Sequence, residues 1–140
     1  MAALAANKEV VEQEGKLLAY PVAQTTIYKG ANCKINAAGF LAPCAGEAGS
    51  QFAGVAYESQ VSASAGAQDC KVITEGCFVM DGSGFSQADV GSQVFATDDN
   101  SITLTEGTTS KQKVGKIVKF ISSTQVLVKI EVMTGIGASA

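Results

Sequence analysis

The residue pair with the clearest catalytic spacing in this chain is Ser110 and Lys113, which form an SxxK sequence. In enzymes that use this motif, the serine and lysine lie on one face of a helix and the serine acts as a nucleophile. Here the surrounding Thr, Ser and Lys residues lead into a segment with strand character, and the companion SDN and KTG sequences are absent. We therefore interpret the SxxK spacing as fortuitous.

The chain contains no histidine, and all ten of its basic residues are lysines. Histidine is the usual proton shuttle near neutral pH, and arginine is the usual bidentate partner of carboxylates and phosphates. A Ser–His or Cys–His pair is therefore impossible, and no glycine-rich phosphate-binding sequence occurs. We expect no enzymatic activity, no catalytic residue and no cofactor.

Two groups of residues are candidates for holding a metal ion. The four cysteines lack the CxxC spacing of zinc sites, and we expect them to be reduced thiols that pack as small apolar side chains. Asp98, Asp99 and Asn100 supply too few oxygens for Ca²⁺ and are typical of a hairpin turn. We therefore predict no metal site. The cysteines are Cys33, Cys44, Cys70 and Cys77.

Charge and hydropathy limit the classes of partner. The formal net charge is −3, so the lysines at 111, 113, 116 and 119 are interpreted as a solvated strand face rather than a nucleic-acid site. Neither a secretion signal nor an apolar run long enough to span a membrane is recognisable. Charged residues make up 16 % of the chain, below the roughly 25 % of average soluble domains. This low charge favours an exterior partly covered by a protein partner.

The N-terminal residues 1–24 differ in pattern from the rest and are predicted to form an arm. Val10, Val11, Leu17 and Leu18 form two apolar pairs seven residues apart, as on one face of a helix, but Gly15 interrupts this segment. The Tyr20–Pro21 step favours extended backbone. A short helix packed on the body and an extended arm ordered against another subunit both remain open, and we favour the arm.

Residues 25–132 are predicted to form one β-rich body, followed by a flexible tail at 133–140. Strict alternation at Ser101–Thr105 and Gln125–Val132 indicates half-buried antiparallel strands. The segment Gln68–Asp81 is predicted to be one long strand with Gly76 inside it as a bulge or bend. With eight or nine short strands separated by turns, the predicted fold is mainly β: a single antiparallel β-sandwich or small barrel-like domain with an N-terminal arm.

An ordered series of short motifs resembles a known family. GVA (54–56) is followed by VITEGCFVM (72–80), then by SQADVGSQVFATDDNSITLT (86–105), and finally by VGKIVKFISSTQVLVKI (114–130). In this order the motifs resemble the small capsid decoration, or cement, proteins of tailed bacteriophages.

The resemblance implies a β-rich structural protein that binds the outer surface of an assembled viral capsid and stabilises it. Its expected partners are the major capsid protein and two further copies of itself, in a homotrimer at local three-fold sites. The resemblance also implies synthesis in the host cytoplasm and residence on the capsid exterior of the virion. The arm would then contact the capsid or a neighbouring subunit through its apolar residues: Val10, Val11, Leu17, Leu18 and Tyr20.

A second function fits the same β-rich body. A virion-surface adhesin or a carbohydrate-binding β module would present aromatic side chains in a groove. The chain has three Tyr, six Phe and no Trp, which is a small supply for such a platform.

Overall fold

The computed structural model describes residues 16–45, 51–105 and 112–133. Within these ranges the chain forms twelve short strands and one 3₁₀ turn at Gln87–Asp89. The strands are β1 (Leu17–Pro21), β2 (Thr26–Ile27), β3 (Asn32–Ile35), β4 (Leu41–Pro43), β5 (Gln51–Ala56), β6 (Gln60–Val61), β7 (Asp69–Ile73), β8 (Cys77–Asp81), β9 (Gln93–Ala96), β10 (Ile102–Thr103), β11 (Lys113–Ser122) and β12 (Gln125–Ile130).

The first sheet contains five antiparallel strands in the order β1-β7-β5-β3-β4. The chain leaving β1 then crosses to the far edge, where Val22 forms a parallel bridge with Leu41 of β4. The Ala23 amide donates to the Leu41 carbonyl at 2.9 Å. The two edges of this sheet are thus joined at one end, which curls the sheet like a small barrel.

The second sheet is also antiparallel, with the order β10-β9-β11-β12-β8. Its edges approach one another through a parallel bridge between Asp81 of β8 and Ser101, which precedes β10. A separate two-stranded ribbon pairs β2 with β6. The predicted fold class, mainly β with antiparallel sheets in a sandwich or barrel-like arrangement, is confirmed.

The apolar interior is divided into two cores. The small core is formed mostly by the first sheet, with Ile27 of β2, and the large core mostly by the second sheet, with Phe52 and Val55 of β5 from the first. The small core contains Val22, Ile27, Ala31, Cys33, Leu41, Ala53, Ala56, Cys70 and Val72. The large core contains Cys44, Phe52, Val55, Met80, Phe85, Val94, Ala96, Ile102, Val114, Ile117, Val126, Val128 and Ile130.

Strand β5 contributes side chains to both cores and is buried on both faces. Cys33 pairs with Gly54 and Lys34 pairs with Phe52, so Ala53 is an extra residue that forms a bulge. A regular strand would place residues three apart on opposite faces. The bulge at Ala53 shifts the alternation of side chains between the two faces by one residue. Both Phe52 and Val55 consequently reach the large core.

The prediction of a single strand at Gln68–Asp81 is wrong. The segment forms two strands, β7 in the first sheet and β8 in the second. The chain turns between them at Gly76, which has φ +130°, a conformation that side-chain-bearing residues rarely adopt. The glycine therefore separates two strands rather than bending one.

The predicted hairpins are present. β9 and β10 pair around the Asp98–Asn100 turn, and β11 pairs with β12 around Ser123 and Thr124. Of the predicted arm, residues 1–15 lie outside the described ranges. Residues 17–21 form β1, which is extended and paired with β7 of the body. The predicted tail lies outside the described ranges except for Met133.

Candidate functional site

Three of the five predicted contact residues lie on β1, the outermost strand of the first sheet. Leu17 pairs with Ile73, Leu18 with Val72 and Tyr20 with Cys70, all in β7. The opposite edge of β1 pairs with no other strand in the described part of the chain. Such an edge presents free backbone donors and acceptors to any partner that approaches it.

Strand geometry places these three side chains on different faces. Tyr20 packs against the small core and Leu18 is half-buried, whereas Leu17 is 39 % exposed. The alternation follows from the period of two along a strand. Val10 and Val11 lie outside the described residues. Leu17 is therefore the described contact candidate whose side chain is most available to a partner.

Several exposed apolar residues were not predicted as contacts. Tyr28 and Tyr57 are 67 % and 50 % exposed, and Val61 of β6 is 64 % exposed. Val79 of β8 is 56 % exposed on the outer face of the second sheet. The alternation of polar and apolar residues cannot identify these exposed side chains, because the sequence alone does not tell which face of a short strand points outward.

A groove lined by both polar and apolar residues follows the turn between β9 and β10, where the two sheets meet. It consists of three shallow depressions that all include Asn100 in their walls. The central depression, about 230 Å³, lies between β8 and the start of β3. Its walls include Gly30, Asn32, Val55, Phe78, Val79, Met80, Asp81, Asp99 and Asn100.

The turn beside this groove is held by its first aspartate. The Asp98 carboxylate accepts hydrogen bonds from the Asn100 amide at 2.8 Å and from the Ser101 hydroxyl at 2.9 Å. The Asp99 carbonyl accepts from the Asn32 amide at 2.9 Å and so ties the turn to β3. The interpretation of Asp98–Asn100 as a turn is confirmed, and Asp99 and Asn100 line the groove.

The walls of the groove include a largely buried asparagine. Asn32 is only 5 % exposed, and its side-chain amide has no hydrogen-bond partner among the described residues but is not fully enclosed. Across the groove, Asp81 accepts a hydrogen bond from the Gln125 side chain at 3.0 Å. Asn32 and Asp81 are 49 positions apart, so neither spacing nor a local motif could have connected them.

The cysteines divide into three buried thiols and one exposed thiol, all of them free. Burial raises the pKa of Cys33, Cys44 and Cys70, that of Cys44 to about 12. These three side chains are therefore neutral and pack as predicted. The prediction is wrong for Cys77, which is exposed on β8. Lys34, between the cores on β3, is also buried, and desolvation lowers its pKa.

The described residues contain no group of three or more His, Cys, Asp or Glu side chains arranged to hold a metal ion.

Ser110 of the SxxK pair lies outside the described ranges, and Lys113 begins β11. Lys116 and Lys119 are exposed on that strand. None of the helices in the described part of the chain is long and apolar enough to cross a membrane.

Comparisons with known proteins assign no family to this chain. No protein-family model matches it, and neither a curated protein nor a solved structure is significantly similar to it.

Proposed function

We propose that this chain is a structural decoration, or cement, protein of a tailed-bacteriophage head. It binds the outer surface of the assembled capsid as a homotrimer at local three-fold sites and stabilises the shell. The observation that carries the proposal is β1: an edge strand with one side open, which bears Leu17 at the surface and directly follows the segment with Val10 and Val11.

The motif order that resembles cement proteins also supports the proposal. GVA lies in β5, VITEGCFVM covers the turn from β7 to β8, and the VGKIV and VLVKI segments lie in β11 and β12. The motifs thus include the strands that build the two cores together with the turns between β7 and β8 and between β9 and β10, so the likeness concerns the folded body.

The physical basis of such a function is selective binding to the assembled shell. A ligand that binds only the assembled form stabilises it by mass action. Three copies of a weak edge contact in one trimer increase the avidity without any new type of contact.

The proposal is tested by co-sedimentation of the purified full chain with empty shells of its cognate major capsid protein. We expect the wild type to sediment with the shells and Leu17→Asp to lose at least tenfold in affinity. The reason is that a carboxylate at the contact would be desolvated without a partner. Because Leu17 is exposed, the substitution leaves the cores intact.

Val90→Asp is the matched control, because Val90 is 41 % exposed and Leu17 is 39 % exposed. This variant lies after the 3₁₀ turn, away from β1, and is expected to sediment like the wild type. Failure of the wild type to bind any shell would contradict the proposed function. Equal binding by wild type and Leu17→Asp would contradict the role of β1.

A further inference from the structure

We propose that the groove around the β9–β10 turn is a binding site for a neutral oligosaccharide. The site does not depend on the capsid-binding proposal, since its walls do not include β1. The inference depends on three features of the groove: a largely buried asparagine whose amide has no partner among the described residues, two aspartates in the walls, and an exposed tyrosine beside the second depression.

The amide is that of Asn32. It has no hydrogen-bond partner among the described residues, yet its atoms are not fully enclosed, so they remain open to water or to a ligand. Asn32 is 5 % exposed and lines the central depression, so its amide can be reached by a ligand there. It offers two donors and one acceptor oxygen, a combination that matches the paired hydroxyls of a sugar.

The charged groups of the groove select the class of ligand. Asp81 and Asp99 line the central depression and supply only acceptors when ionised. They accept hydrogen bonds from hydroxyl groups but repel phosphate, sulfate and carboxylate groups. Among the described residues that line the three depressions, Lys29 in the second is the single basic one. The chemistry therefore favours a hydroxyl-rich, uncharged ligand.

The aromatic ring is that of Tyr28, which is 67 % exposed and lines the second depression with Asp99 and Asn100. Aromatic rings pack against the apolar C–H faces of ligands and bury large areas. The third depression adds hydroxyls, from Ser83, Thr97, Ser101 and Thr103. All three depressions share Asn100, so sugar rings bound in neighbouring depressions would contact this residue in common.

The dimensions of the groove agree with this ligand. Its first two depressions measure about 230 and 360 Å³. Each is at or below the small end of typical ligand pockets, roughly 300 to 1,000 Å³, which suits one ring at a time. Shallow open sites of this kind bind weakly, so we expect dissociation constants in the roughly millimolar range, near the weak end of specific binding.

The experiment is an NMR titration of the ¹⁵N-labelled full chain with three neutral probes: maltohexaose, cellohexaose and chitohexaose. A hyaluronan hexasaccharide serves as the anionic probe. We expect at least one neutral probe to shift the side-chain amide signals of Asn32 and Asn100 saturably, and the anionic probe to leave them unchanged. A screen on an array of neutral glycans extends the probes to other linkages.

Asn32→Asp keeps the side-chain size but replaces the two amide donors by a carboxylate, and we expect it to weaken binding at least tenfold. Because this residue is buried, Asn100→Ala provides a second variant at an exposed position, with an expected loss of about fivefold. Gln93→Ala, on the exposed part of β9 outside the groove, is the control and should bind like the wild type.

Absence of binding to every neutral glycan on the array, or shifts confined to residues outside the groove, would overturn the proposal. A saturable shift of Asn32 and Asn100 caused by CaCl₂ alone would also overturn it, because the groove would then be a cation site. Both variants should still sediment with capsid shells, which separates this proposal from the proposed function.

Discussion

Cys77 differs from the other cysteines because its side chain lies on the outer face of the second sheet. Its partner across the strands is Lys129 of β12, which is also exposed. Cys33, Cys44 and Cys70 are buried, and burial raises the pKa of each. Since the thiolate is the reactive form, burial protects these three thiols both sterically and electrostatically.

We predict that one thiol per native chain reacts with a thiol-specific disulfide reagent at pH 8, and that all four react in denaturant. Counting the released chromophore measures this number. Cys77→Ser should reduce native labelling to near zero with no change in fold. Rapid native labelling of more than one thiol would show that the buried cysteines are accessible.

Leu17, Leu18 and Tyr20 illustrate how much a residue's role depends on its element. The apolar pairs Val10–Val11 and Leu17–Leu18 are seven residues apart, which is consistent with one helical face. On such a face Leu17 and Leu18 would both contact the same partner. In β1 these neighbours point to opposite faces, and only Leu17 is left exposed. The apolar character was evident from the sequence, but the face was set by the pairing of β1 with β7.

At the scale of elements, β5 is the strand on which both cores depend. Its bulge at Ala53 is followed by Gly54, whose φ of +139° is accessible to glycine and rarely to other residues. A Cβ atom at Gly54 would lie 2.5 Å from the Ile73 carbonyl oxygen of β7. Position 54 therefore combines a restricted backbone conformation with close packing between strands.

We predict that Gly54→Ala lowers the free energy of unfolding by about 3 kcal/mol or more, from backbone strain plus a steric overlap. Urea denaturation followed by circular dichroism measures the change.

The control is Gly84→Ala, in the loop after β8. Gly84 also has a positive φ, +74°, but a Cβ atom there would meet nothing within 4 Å. We expect Gly84→Ala to lower the free energy of unfolding by about 1 kcal/mol, because of the backbone conformation alone. Similar losses for the two variants would contradict the steric part of the explanation.

The elements that could be predicted are those formed by local contacts. The β9–β10 and β11–β12 hairpins combine alternating side chains with turn residues, and each needs only its neighbour in sequence. The pair β7 and β8 could not be separated in this way, because both halves of Gln68–Asp81 have strand character. Their assignment to different sheets depends on partners elsewhere in the chain.

At the scale of the whole molecule, the two curled sheets give a body with an exposed edge at β1 and several surface apolar residues. Three-fold association would cover part of this surface, in agreement with the low fraction of charged residues. The full chain has a mass of 14.3 kDa, so the proposed trimer has a mass of about 43 kDa, three times that value.

We predict that sedimentation equilibrium of the purified chain gives this trimer mass at concentrations of about 10 µM and above. The mass should persist at high salt, because apolar contacts are not screened by ions. A monomer mass throughout the concentration range would contradict the proposed oligomeric state, whatever the outcome of shell binding.

The sequence by itself determined the fold class, the local hairpins and the turn at Asp98–Asn100, since these follow from alternation and from short-range hydrogen bonds. Only the tertiary structure decided which strands share a sheet, how β5 serves two cores and which apolar side chains remain outside. It also brought Asn32, Asp81 and Asn100 to one groove. Contacts of this kind join residues far apart in the chain, and their geometry depends on all the intervening strands.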